Sequence, residues 1–324
     1  MASYNVENLF DLEKNGREYP EYVPSSTFGW NRETFEIKLT NIARVIKDLN
    51  ADIILLQEIE SRQSLENLQL KLLERGADYS FACFAGSRPT SVACAVLSRF
   101  PIIAQQELRV PRQASRNILQ VTIEIEGQLL VIFNNHWNSK RHPESGRVAC
   151  AKTLQKALAA LPVGTDAVLA GDFNANYNEW RTIKKEPKLN DTGGITGINH
   201  ILRTINGEGQ LITENKFIAQ PDTAFLYNLW LELKTKDRWS AKFRRKKNTL
   251  DNIIVSRALY DDRGISYVDN SFAVFRPPYL LRKGRPFRWQ RAARGKGRHL
   301  GLGFSDHLPV CAQFSTGPFV AKKQ

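Results

Sequence analysis

Methionine is nearly missing: among 324 residues the only one is Met1. Two readings fit that scarcity, a chance composition and a processed chain with an added start residue. Ser3, Asn5, Glu7 and Asn8 interrupt the start with polar groups, so it does not read as a signal peptide. Cysteine is scarce too, and Cys83, Cys94, Cys150 and Cys311 follow no metal-ligand spacing. Their apolar neighbours make buried free thiols the expected state, with a Cys83–Cys94 bridge across neighbouring strands as the alternative. No run of about 18 apolar residues exists, which excludes a transmembrane helix on sequence grounds. There is no linker rich in Pro, Ser or Gly and no internal repeat, so one domain over residues 1–324 is expected. A hydrophobic fraction of 42% places the chain among globular rather than disordered proteins.

Acid is missing from residues 276–298, which hold nine Lys or Arg. Residues 234–247 hold eight, against Asp237 alone. The two segments contribute +9 and +7 to a net charge of +13, leaving the rest of the chain at −3. Such runs can be plain solvated loops or localisation signals. Here the second interleaves Tyr279, Phe287 and Trp289, rings suited to stacking beside cations. Each run also precedes a carboxylate motif by a few residues. A polyanion-binding role is therefore expected.

Hydrophobic spacing predicts a helix over 32–48, a buried strand over 52–57 and a second helix through Leu65, Leu68 and Leu72. Strands are expected at 79–84, 92–98, 102–109, 117–125 and 128–135, with Gly127 turning the last pair into a hairpin. A helix at 145–160 leads to the apolar run Ala167–Ala170. Residues 186–224 read as a long irregular excursion and 276–304 as a basic loop. Strands return at 249–255, 267–275 and 308–314. This alternation suggests two sheets packed face to face with helices outside.

Gly171-Asp172-Phe173-Asn174 closes the apolar run with a carboxylate and a carboxamide two residues apart. Strand alternation would point both the same way. Five other strand ends carry polar groups: Asn5 after a first short strand, Glu58, His136, Asp251, and the pair Asp306-His307. Each has a plain alternative. A histidine after a strand is often a structural hydrogen-bonding residue, and Asp172 and Asp306 could be turn or helix caps. Their accumulation at the ends of apolar strands argues for convergence on one rim.

Six stretches carry a family resemblance: Ser3–Phe10, Leu56-Gln57-Glu58, Asn135-His136-Trp137, Gly171–Asn174, Leu250–Ile254 and Ser305–Pro309. In this order they resemble the endonuclease/exonuclease/phosphatase superfamily. Its members include DNase I-like nucleases, abasic-site nucleases, sphingomyelinases and inositol-phosphate phosphatases, and a bacterial nuclease-type branch is the expected placement. The resemblance implies an α/β fold, a four-layered α/β sandwich of two mixed sheets packed face to face with helices outside, with the site on the sheets' rim.

It also implies roles. Glu58 would hold a divalent metal with Asn5 nearby, and Asp306 would contact metal or water. Mg²⁺ suits so few oxygen ligands because it keeps its waters; Mn²⁺ and Ca²⁺ are alternatives. Asp172 and Asn174 would orient the attacking water and the phosphate. His307, polarised by Asp251, would act as base or transition-state donor. Nuclease branches place a Glu or Tyr in the first half of the chain to support the acidic histidine, and Ser91–Val96 has none. The leaving-group acid is thus open, with His136 the candidate. Arg116 matches an arginine that nuclease members set on phosphate, with a strand-edge surface charge as the alternative. Asn138, Lys247, Arg288 and Arg298 are the further candidates for substrate contact.

The basic segments favour a long polyanion over a small phosphate monoester. The expected activity is metal-dependent hydrolysis of DNA, with RNA as a second substrate, by a monomer with little sequence preference. A phosphatase or a sphingomyelinase-type phospholipase of the same fold is the alternative. An unspecific nuclease endangers its own cell, which points to a secreted or periplasmic protein, with the cytoplasm as the other option.

Overall fold

The computed structural model describes residues 1–112, 114, 116–219, 224–261 and 263–321. One sheet contains β1 (Ala2–Leu9), β2 (Ile53–Ile59), β3 (Phe81–Phe84) and β4 (Ala93–Ser98). Its order is Ala273–Val274, Val310–Cys311, β1, β2, β4, β3. The second contains β5 (Ile102–Leu108), β6 (Ile118–Ile125), β7 (Gln128–His136) and β8 (Ala167–Asp172), then Asp251–Val255 and Tyr227–Asn228. The β1–β2 and β7–β8 pairs are parallel and the rest antiparallel, so both sheets are mixed.

Two-residue alternation builds the layers. On β2, Ile54 and Leu56 face outward to Leu39, Ile42 and Ile46 of α1 (Arg32–Leu49) and Leu65, Leu68 and Leu72 of α2 (Arg62–Glu74). Ile53 and Leu55 face inward and meet Val121, Ile123, Ile132 and Val168 of the other sheet. On β8 the outward pair Ala167 and Leu169 packs under Cys150, Ala151 and Leu154 of α3 (Glu144–Ala159). The result is helix, sheet, sheet, helix, the sandwich expected from the sequence. One polar tie crosses the middle: Gln57 Nε2 donates to Asn134 Oδ1 (2.8 Å), and Asn134 Nδ2 donates to the Ala95 carbonyl (2.8 Å). Such a satisfied buried pair fixes how the sheets register on each other.

Helix starts follow local chemistry. Asn31 with Thr34 and Ser61 with Ser64 each form a reciprocal cap on the first turn of α1 and α2. The β6–β7 hairpin turns at Glu126 and Gly127, both at positive φ, as a two-residue turn matched to strand twist requires.

Several expectations need correction. The first strand runs through Leu9, so Asn5 lies inside it rather than after it. The strands expected at 267–275 and 308–314 are only the pairs Ser266–Tyr267, Ala273–Val274, Val310–Cys311 and Phe314–Ser315. Pro309 has no N–H to donate and Asn270 turns left-handed at φ 55°, so neither segment can stay in a ladder. The excursion at 186–224 carries a helix at Glu214–Ala219 and a helical turn at Gly197–Ile201 that packs Ile198 and Leu202 beneath α3; its residues 220–223 lie outside the described residues. All four cysteines are free thiols, and Cys311 is only partly buried. The β3–β4 register sets Cys83 opposite Val96, two residues from Cys94, so the bridge alternative does not form.

Candidate active site

Sheet register brings three of the expected residues into one row. On the second sheet His136 at the end of β7 pairs with Asp172 at the end of β8, and Asp172 pairs with Asp251 on its other side. Gly171 makes this row possible. It adopts φ 130°, and a Cβ there would lie 2.1 Å from the Asn135 carbonyl oxygen. Only glycine allows β7 to pass so close.

Asn174 reaches Asp172 by a different route from the one expected. The strand ends at Asp172, and Asn174 turns left-handed (φ 47°). Its backbone N–H donates to Asp172 Oδ1 (2.8 Å) and its Nδ2 to Oδ2 (3.1 Å) and to the Trp137 carbonyl (3.1 Å). The turn, not strand alternation, aligns the two side chains.

The first sheet supplies Asn5 and Glu58 through irregular backbone. The β1–β2 ladder shifts register after Asn5, the β2–β4 ladder shifts between Gln57 and Ile59, and Glu7, Asn8 and Glu58 all have positive φ. Bulges re-aim side chains at such rims, and left-handed non-glycine residues persist only where the surroundings hold them. Here they swing Glu58 toward the neighbouring sheet. Asn5 Nδ2 donates to Glu58 Oε1 (3.1 Å) and to Asp172 Oδ2 (3.0 Å), tying both sheets at the rim. Its Oδ1 accepts from the Glu7 N–H (3.0 Å).

The C-terminal segment closes the site. Ser305 Oγ donates to the Asn5 carbonyl (2.7 Å) and accepts from the His307 N–H (3.1 Å). His307 Nδ1 lies 2.8 Å from Asp251 Oδ2, which also accepts from Ser240 Oγ. Its Nε2 therefore faces inward, 4.0 Å from Asp172 and 3.9 Å from Asp306. His136 Nε2 stands 3.6 Å from Glu58 and 3.8 Å from Asp172.

These positions set the charges. Burial opposes a proton on His307, but Asp251 and Asp172 outweigh it and hold the imidazole well above its ordinary range. Burial, with Arg116 and His307 nearby, pushes His136 well below its own. Among the described residues His136 Nδ1 is buried without a hydrogen-bond partner, so no Glu or Tyr there supports it. Burial raises Asp172, and burial with Asp306 facing it raises Glu58. The Asp306 charge works against a second charge on buried Glu58, which is the chemistry of a cation site, so these two oxygen donors fit a hard divalent ion. Asp172, Asp251 and His307 each offer a ligand atom within 4.8 Å of the others, a second arrangement whose donors could hold a cation.

Arg116 acts on Glu58 and His136 by its charge and lines a cleft of about 420 Å³ with Arg17, Tyr19, Thr90 and Ser91. Asn138 is buried beside the row, its carbonyl accepting from Arg147 (3.1 Å). Arg288 is exposed yet engaged. It pairs with Glu7 and approaches Asp306 to 3.7 Å. Lys247 lies over the Trp239 ring and donates to the Lys236 carbonyl (2.6 Å), and Arg298 lies against Gly29. The two basic segments meet each other: Lys242 and Arg276 flank Trp239 at 4.4 and 4.5 Å, and Lys242 donates to the Gly284 carbonyl.

The aromatic rings of the second segment mostly pack inward, Trp289 fully and Tyr279 and Phe287 in part. Trp289 is 3% exposed, its Nε1 donating to His299 Nδ1 (2.7 Å), while Tyr279 bonds Asp48 (2.7 Å) and Phe287 packs near Phe304. The segment turns Arg282, Lys283 and Arg285 outward and its rings into the α1 core. The sequence reading also missed Glu7, Ser240 and Ser305, which hold Arg288, Asp251 and Asn5, and missed Phe243. Glu7 and Ser305 lay inside stretches that carry the family resemblance, whereas Ser240 had no local signal. Phe243 stands inside the first basic run and was legible there.

An α/β sandwich with a carboxylate–histidine rim defines a class of phosphate-ester hydrolases. The chain belongs to the Endonuclease/Exonuclease/phosphatase family, whose model matches residues 1–196 and 210–316. No curated protein matches it in sequence. Solved structures share its fold. A family member from Bacteroides thetaiotaomicron is 15% identical, with 97% of this chain and 96% of that one covered and a TM-score of 0.58. Humanized D. rerio TDP2 is 14% identical, with 90% and 96% covered and a TM-score of 0.57. D. rerio TDP2 complexed with single-strand DNA product is 14% identical, with 97% and 98% covered and a TM-score of 0.56. No helix among the described residues is long and apolar enough to cross a membrane.

Proposed function

We propose that this protein is a divalent-metal-dependent phosphodiesterase that hydrolyses DNA with little sequence preference. The observation that carries the reading is the convergence of His136, Asp172, Asp251 and His307 with Asn5 and Glu58, next to two basic segments that meet at Trp239. A monoester pocket has no use for that extended charge. The structure of D. rerio TDP2 with single-strand DNA product agrees with a nucleic-acid substrate.

Glu58 and Asp306 would hold Mg²⁺, with Asn5 ordering Glu58. Bound there, such an ion would supply Lewis-acid polarisation of a phosphoryl oxygen and offset developing charge. Asp172, fixed by the Asn5 and Asn174 amides, orients the attacking water and takes its proton, and its raised carboxyl suits that work near neutrality. His307, held as imidazolium by Asp251, donates from Nε2 to a non-bridging phosphoryl oxygen. His136 is held neutral and offers the leaving oxygen a weaker donor. Arg116 draws a phosphate toward the Glu58 side.

Plasmid incubated with purified protein and Mg²⁺ should be degraded, and chelator should stop it. Intact plasmid and intact single-stranded DNA beside turnover of an inositol phosphate or sphingomyelin would overturn the nuclease reading.

A further inference from the structure

We propose that the hairpin Ala241–Asn248 grips an unpaired nucleotide next to the scissile phosphate, with the Phe243 ring as its stacking platform. The inference rests on the phosphodiesterase reading and names the strandedness of its substrate. Phe243 is 68% exposed, whereas all six tryptophans are buried: even Trp239, at the hairpin's base, is 7% exposed. A lone exposed phenylalanine needs no explanation by itself. This one has two further properties.

First, the hairpin is joined to the site. Ala241 forms a β-bridge with His307, and Ser240 accepts the Leu308 N–H through its carbonyl (2.8 Å) while its hydroxyl holds Asp251. Phe243 is two residues from the bridged Ala241, about 7 Å along the strand. Second, alternation sorts the hairpin into two faces. Lys242 and Lys247 pair across it, and both lie over Trp239. Phe243 and Lys246 pair on the opposite face. Arg244 and Arg245 form the left-handed tip, and the Arg244 guanidinium lies 5.3 Å from the Phe243 ring.

The hairpin therefore presents one ring edged by cations, beside His307, to which the proposed function assigns the phosphate. A base inside a duplex is stacked on its neighbours and has no face to give; an unpaired base has one. Ring stacking also accepts every base, which fits weak sequence preference. Cations alone would bind both forms. The ring is what separates them.

The test titrates wild-type protein, Phe243→Ala and Phe243→Trp with a fluorescent oligothymidine and with a blunt duplex, at one salt concentration and in chelator, so that no turnover is needed. Phe243→Ala should weaken single-strand binding about 10-fold with duplex binding unchanged, and Phe243→Trp should restore it. Equal loss on both forms, or no loss on the single strand, overturns the proposal. The same three proteins are also titrated with phosphatidylserine vesicles, and a Phe243→Ala loss seen only there overturns the proposal in favour of a membrane contact. Wild-type protein that binds the single strand through Phe243 yet cleaves no phosphodiester with Mg²⁺ would sink the enzymatic reading and leave the grip standing.

Discussion

Asp251 and His307, 56 residues apart in the chain, meet with Oδ2 2.8 Å from Nδ1. Asp251 is fully buried at the start of its strand, and His307 is the β-bridge partner of Ala241. This contact sets the ring orientation, and with Asp172 it holds the imidazole charged.

Asp251→Asn should keep the fold and lose about 10²–10⁴ in rate on plasmid DNA, with His307→Ala falling as far. Because the two act as one unit, the double variant should fall little further. Initial rates with circular dichroism as the folding control measure this; additive losses would break the pairing.

Glu58→Gln should leave the protein folded and raise the Mg²⁺ concentration needed for half-maximal rate, by about 10- to 100-fold. It removes the carboxylate charge that faces Asp306 while keeping the side chain's shape. A metal titration of activity reads it directly, and an unchanged Mg²⁺ requirement would remove Glu58 from the metal site.

Gly171→Ala should destabilise by about 2–3 kcal/mol or more. Its φ is 130° and the new Cβ would meet the Asn135 carbonyl at 2.1 Å, backbone against backbone. Urea unfolding measures the loss. Activity should drop as well, since the clash parts the strands that carry His136 and Asp172.

Neutralising Arg282, Lys283 and Arg285 should weaken DNA binding and flatten its salt dependence. Each phosphate that the protein no longer neutralises lowers the slope of log affinity against log salt by about 0.7–0.9. An unchanged slope would return the Leu281–Pro286 hairpin to passive surface.

Glu232 gives a pH prediction away from the site. Burial pushes its carboxyl from 4.5 up to about 8, although the Tyr267 hydroxyl donates to it at 2.7 Å. The folded value lies above the unfolded one, so its contribution is complete below the unfolded value and is lost as pH rises through the folded value. Wild-type Tm should therefore fall as pH rises from about 5 to about 9, and Glu232→Gln, which cannot ionise, should fall less. Melting curves at the two pH values decide; parallel falls would refute the assignment.

Local pattern alone carried the layers and the chemical inventory of the rim. Apolar alternation needs no distant partner, so Ile53–Leu56 and Ala167–Ala170 read as strands from their own residues. The residues that could do acid–base and metal chemistry were also visible by type, at the ends of those strands. Which groups meet, and which face water, came only with assembly of the sheets. Nothing local to Glu58 signals the left-handed bulge that turns it to Asn5, and nothing near Asp251 announces Ser240 and His307 as its partners. The basic segments show the same division. Their charge was legible, but Trp289 went into the α1 core and Phe243 into solvent. Which ring is buried depends on what packs against its strand or loop, and that is a property of the assembled sheets rather than of any short stretch of chain.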